Sequence, residues 1–303
     1  MVRASPPVAS QTAERPIWAI LIALGAVVLF AAVVLGDIGN RRVRVASNDI
    51  GSVLAGLVAA GFAIRAARAQ TMRSVRVSWF CFAGALGAWS VGDALWTIGE
   101  VVYGRAPGTP GLPDLGYLLT LPLAMAGTLL RPSLHPGLLS RRSLLMDIGI
   151  TGTALLAVCW ALVIGPLLAW ASLGSGLQNV TLGYPIADLV ILGCLVVAIL
   201  REPEGGPATI PLALALSALT AADLIYAVLT VRNSYVTGHP VDVVWFASLT
   251  LFALAASRES EDISHVIRHA SRRRRLGTRL PSLRTPGHLS NGQGPLWRLA
   301  LPT

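Results

Sequence analysis

Six aspartates stand in or at the edge of long apolar stretches: Asp93 in "SVGDALW", Asp114 in "LPDLGY", Asp147 in "LLMDIG", Asp188 in "YPIADL", Asp223 in "AADLIY" and Asp242 in "HPVDVVW". A carboxylate is costly in hydrocarbon, so one that persists there is paired, protonated or wet, and marks a site by default. The chemistry open to such a group is to hold a proton, a cation or the donor of a small ligand. Asp114, Asp188 and Asp242 also have a structural role within reach. Each follows a proline and stands at a helix start, where it can cap backbone N–H groups or meet the positive dipole end. No helix start is available to Asp93 and Asp223, which leaves a hydrogen-bonded helix contact or a wet acidic pocket. Trp96, Tyr117, Tyr184, Tyr226, His239 and Trp245 fall at similar depth. Trp and Tyr favour the membrane interface whatever the function, and they can also wall a ligand.

The elements that must position these groups are membrane helices. The chain has 303 residues, of which 54% are hydrophobic and 13% charged, with a mean hydropathy of +0.65. A soluble domain carries about 25% charged residues. The expected class is an all-α polytopic membrane bundle. A spanning helix takes about 20 apolar residues, which predicts eight spans at 17–36, 46–65, 76–101, 113–131, 143–169, 181–200, 208–231 and 240–257. The first span has no A-x-A cleavage pattern after a short apolar core, so it is read as a helix. The arm 1–16 is expected to be disordered.

The last six spans form three repeat-like hairpins, 76–131, 143–200 and 208–257. Each has an aspartate in its first helix and a Pro-Asp start to its second, with the first and third matching best and the first two spans outside the pattern. Gly84, Gly87 and Gly92 would let helices approach closely. All basic side chains apart from histidine are arginines. Most cluster on the side that holds the termini, although Arg41, Arg42 and Arg44 occupy an opposite loop. The positive-inside rule then places both termini in the cytoplasm of a cell membrane. Asp93, Asp114, Asp188, Asp223 and Asp242 come out near the outer surface, and Asp147 near the inner one.

The motifs "SWFCFAGALGAWSVGDALW", "PGLPDLGYLLTLPLAMAGTLL", "RRSLLMDIGI", "YPIADLVIL", "AADLIYAV" and "VDVVWF" follow one another over about residues 76–257. In order and spacing this region resembles the N-terminal membrane region of actinobacterial GGDEF/EAL cyclic-di-GMP signalling proteins and related sensor kinases. The resemblance implies an input or anchoring module and supplies no ligand. The chain departs from those proteins after residue 257, where about 45 residues follow without a GGDEF, EAL or kinase motif. Cyclase, phosphodiesterase and kinase activities are therefore not implied.

In the tail, 258–303, Ile263, Val266, Ile267 and Ala270 have helical spacing, and a short helix followed by a disordered end is expected. His265 and His269 stand one turn apart but lack a third metal ligand and a phosphoacceptor context. The run Arg272, Arg273, Arg274 and Arg275 suits an anionic lipid surface, and without interleaved aromatics it predicts no specific nucleic-acid partner. Cys81, Cys159 and Cys194 have no paired spacing and read as packing residues. No Ser–His pair or H-E-x-x-H occurs, and His135, His239, His265, His269 and His288 are mostly loop or tail residues. No enzyme activity, cofactor or metal is predicted. The expected function is a sensory or regulatory membrane module with an outer acidic–aromatic pocket. Its expected partners are the bilayer and a signalling protein reached through the tail. The alternative is a small ion or solute transporter. The residues assigned to ligand binding are Asp93, Trp96, Asp114, Tyr117, Tyr184, Asp188, Asp223, Tyr226, Asp242 and Trp245.

Overall fold

The computed structural model describes residues 17–36, 39–107, 111–131, 206–277 and isolated positions between 146 and 193. The described residues are helical, without strands. They form α1 (Ile17–Leu35), α2 (Arg41–Ala69), α3 (Arg73–Thr97) closed by a π-helical turn (Ile98–Val102), α4 (Leu112–Leu129), α5 (Thr209–Val231) and α6 (Pro240–Gly277). Five of them, α1, α2, α4, α5 and α6, are long and apolar enough to cross a bilayer. Large apolar side chains such as Ile22 (64% exposed) and Leu29 (66%) stand outward on α1, as a hydrocarbon surrounding requires and water would penalise. The expected spans 143–169 and 181–200, and with them the middle hairpin, lie outside the described residues apart from isolated positions.

The elements differ from expectation at two places. Arg41, Arg42 and Arg44 belong to α2 rather than to a loop, because Asn40 caps the helix there, its side chain accepting from the Val43 N–H at 3.0 Å. The eighth span and the tail helix are one helix, since no breaker interrupts Pro240–Gly277. The chain divides after Ser264 into two compact units, and the packing below concerns the first.

The more polar α3 packs along both α2 and α4. Toward it α2 presents a face of small residues, including Gly56, Ala59, Ala63 and Ala67, and the rings of Trp79, Phe82 and Phe252 fill the centre. Gly92 and Gly116 mark the closest approach of α3 to α4. A Cβ on Gly116 would lie 2.5 Å from the Ala88 carbonyl oxygen, and one on Gly92 2.7 Å from the Tyr117 ring. Among the described residues a Cβ on Gly87 would meet nothing within 4 Å, while one on Gly84 would make ordinary contact with Leu123. Hydroxyls bind helix to helix. Ser78 donates to the Gly127 carbonyl (2.5 Å) and Thr120 to that of Ala85 (3.1 Å) between α3 and α4. Ser248 donates to the Ala215 carbonyl (2.9 Å) between α5 and α6. Such bonds contribute about 0.6–2 kcal/mol each in a membrane bundle.

Two polar layers frame this apolar centre. One holds the start of α2, the ends of α3 and α5, and the starts of α4 and α6. In the other, Glu259 of α6 accepts from the Gln70 amide at 2.9 Å and from Arg131 at 3.4 Å, and Arg131 lies 5.4 Å from the Trp79 ring. At about 1.5 Å of rise per residue, Asp49 is about 32 Å from Gln70 and Asp242 about 26 Å from Glu259. These separations match a hydrocarbon core of about 30 Å.

Candidate functional site: an acidic–aromatic cavity

The first polar layer encloses a cavity of about 100 Å³. Its lining draws on α2 through α6 and on the loop between α5 and α6.

The pairs α3–α4 and α5–α6 furnish it in the same way. In α3, Asp93 accepts from the Tyr117 hydroxyl of α4 (2.9 Å) and from the Trp89 indole N–H one turn earlier on its own helix (3.1 Å). In α5, Asp223 accepts from the Trp245 indole N–H of α6 (2.7 Å). Three residues before each of those α4 and α6 aromatics, an aspartate caps its helix. Asp114 accepts from the Gly111 N–H (2.6 Å), and Asp242 from the Gly238 N–H (2.7 Å). The register repeats because Pro-Asp or Pro-x-Asp fixes the first turn, and the aromatic then falls on the same helix face about one turn on.

The rings form a continuous wall. Trp89 meets Tyr117 (centroids 5.1 Å apart) and Trp245 (6.4 Å), Trp245 meets Tyr226 (5.3 Å), and Tyr226 meets Tyr235 edge-on (4.8 Å). Trp96 lines the cavity as well. Tyr235, in the loop, donates to Asp242 at 3.1 Å. Burial first, and then the Asp242 carboxylate, push its phenol well above the usual tyrosine value. The Glu100 carboxylate, held on the π-helical turn, accepts from the Thr237 hydroxyl at 2.5 Å and ties that turn to the same loop.

The structure thus brings Asp93, Trp96, Asp114, Tyr117, Asp223, Tyr226, Asp242 and Trp245 into one lining. Asp147, Tyr184 and Asp188 lie outside the described residues, as do the side chains of Arg272, Arg273, Arg274 and Arg275 at the end of α6. Sequence reasoning set α2 apart and so missed Asn48, Asp49 and Ser52. It also passed over Trp89 and Tyr235. The available signal was "SND", a polar tripeptide inside a run otherwise able to span.

Asn48 and Asp49 are each 5% exposed. The Asn48 amide donates to Asp49 Oδ1 at 3.3 Å, whereas Asn48 Oδ1 and Asp49 Oδ2 have no hydrogen-bond partner among the described residues. No arginine is among the described residues that line the cavity. Among the described residues no three His, Cys, Asp or Glu side chains are grouped so as to hold a metal ion.

No protein-family model, curated protein or solved structure matches this chain. The geometry itself must therefore carry the functional argument. It offers five carboxyl groups and an amide facing a small aromatic space, a combination suited to holding a compact polar or cationic guest.

Proposed function

We propose that this protein is a non-enzymatic sensory or regulatory module of the cell membrane that takes a small ligand, proton or cation into the acidic–aromatic cavity. The single observation that carries the reading is the convergence of side chains from five helices on that one cavity. Isolated helix–helix hydrogen bonds would need no shared space. The signalling role also draws on the resemblance to GGDEF/EAL and sensor-kinase input regions. α6, which bears Asp242 and Trp245, runs on to Gly277, a covalent route from cavity to tail. The full arrangement has eight spans, the last six in three hairpins, and both termini in the cytoplasm. The cavity then faces outward, and the arginine run 272–275 rests on the inner lipid surface beside a partner protein.

The runner-up, a transporter, needs polar groups through the midplane. Between the two polar layers the core instead holds Phe82, Leu249 and Phe252 around an apolar void of about 20 Å³, which favours sensing.

The test places the full chain in nanodiscs with a spin label on the tail. Amines, amino acids, sugars, Na⁺, Ca²⁺ and a series of pH values are then applied. At least one stimulus should change label mobility, and the double variant Asp93→Asn/Asp223→Asn should abolish that change. A tail indifferent to every stimulus, or a response that survives both substitutions, rejects sensing through this cavity. Proton or cation flux in proteoliposomes that is lost in Asp93→Asn would establish the transporter instead.

A further inference from the structure

A groove of about 1060 Å³, separate from the acidic–aromatic cavity, lies between α1, α2 and α6. Near one end Phe30 stacks on Phe246 and packs on Gly51. From there toward Ile17, α1 has no buried residue. The facing side chains include the small Ala23 and Ala26 of α1, Ala55 of α2 and Ala253 of α6. Ile22, Leu54 and Val58 on its wall are more than half exposed. Protein interiors are packed without hollows of this size, so the groove is shaped for a guest.

Charge in the described lining is confined to Arg65 of α2 and Glu261 of α6, both at the end away from the phenyl stack. At about 1.5 Å per residue, Arg65 lies about 21 Å along α2 from Gly51, and Glu261 about 22 Å along α6 from Phe246. Half of a bilayer that measures about 40–45 Å with its headgroups is about 20–22 Å, so the groove has the length of one lipid. Among the described residues neither Arg65 nor Glu261 is in an ion pair, and Glu261 receives only the Ser257 hydroxyl, at 3.4 Å. A plain hydrocarbon would leave both charges unused, and a purely anionic headgroup would meet Glu261. A headgroup with a phosphate and an ammonium suits both, since a guanidinium grips phosphate and a carboxylate accepts from N–H.

We infer that this groove holds one phospholipid of the phosphatidylethanolamine class. Its phosphate meets Arg65, its ammonium donates to Glu261, and an acyl chain runs to the Phe30–Phe246 stack.

The experiment places the full chain in nanodiscs of equal parts phosphatidylethanolamine, phosphatidylglycerol and phosphatidylcholine with the same acyl chains, then releases it for native mass spectrometry. One phosphatidylethanolamine should stay with each chain, favoured about fivefold over either other lipid, the effect of one favourable charge at a lipid surface. Arg65→Gln should lower retention of all three lipids. Glu261→Gln should keep a lipid but erase the preference over phosphatidylcholine, which has no N–H to donate. A phosphatidylethanolamine with a diazirine on its chain should label Leu54 or Val58 of the unaltered chain, which decides the matter even if a variant does not fold. Preferred retention of phosphatidylglycerol, equal retention of all three lipids, or retention of none overturns the inference. So does retention unchanged in Arg65→Gln, or a groove that escapes the label because residues 143–200 of the chain or a second copy fill it.

Discussion

Trp245 serves the cavity twice, through its indole N–H to Asp223 (2.7 Å) and through its ring against Tyr226 and Trp89. Trp245→Phe keeps a ring but removes the donor. It should cost about 1–3 kcal/mol, read from unfolding in detergent, with Trp245→Tyr recovering part of the loss. Tyr235 gives a prediction in pH. Its phenol is pushed upward, so the folded protein holds the proton more tightly than the unfolded chain. The resulting stabilisation is complete below the ordinary tyrosine range and is lost as pH rises through the folded value. Tyrosinate absorbance should include a component that titrates late in alkali, and Tyr235→Phe should reduce that component by one tyrosine. Asp93 and Asp223 were legible in the sequence because a carboxylate amid apolar residues has few innocent explanations. Asn48 and Asp49 were passed over because the second span stands outside the repeated hairpins that drew attention to the other acids. Trp89 and Tyr235 carry no mark that separates a cavity wall from ordinary packing or an interfacial ring.

At the scale of elements, the crossing of α3 and α4 has almost no slack. Gly116→Ala would press its methyl on the Ala88 and Gly92 backbones, at 2.5 and 2.7 Å. Backbone cannot swing aside as a flexible side chain can, so about 1–3 kcal/mol should be lost. The displaced helix would also carry Tyr117 away from Asp93. Gly87→Ala is the counterpart: among the described residues it meets nothing within 4 Å, and it should gain about 0.5–1 kcal/mol from helix propensity. Denaturation of the two variants side by side in mixed micelles would give opposite shifts. Hydropathy located α4 and α5 to within a residue or two at each end, because long apolar runs leave little choice. It misplaced the start of α2, where a single asparagine cap outweighs three arginines. The π-helical closure of α3 has no periodic signature to read.

For the molecule as a whole, two polar layers about a bilayer apart define which loops emerge where. In a cysteine-free background, a cysteine at Tyr103, 72% exposed beside the cavity layer, should react from outside intact cells with an impermeant maleimide. One at Met72, near Gln70 at the other layer, should react only after the cells are opened. The reverse pattern would invert the orientation. Sequence patterning conveyed the apolar spans that the described helices bear out because burial in lipid constrains each of them. It could not show that α2 closes the cavity, since that depends on contacts between segments far apart in the chain. One helix remains nearly outside the assembly. Only Phe30 and Val34 of α1 are buried. The Phe30 ring stacks on Phe246 at 4.0 Å, and a Cβ added to Gly51 would fall 2.7 Å from it. Beside the burial of Val34 and the contact with Gly51, one phenyl stack thus joins this span to the residue adjoining Trp245. A sideways displacement of that span would load the Phe30–Phe246 stack, one residue from the indole that bonds Asp223.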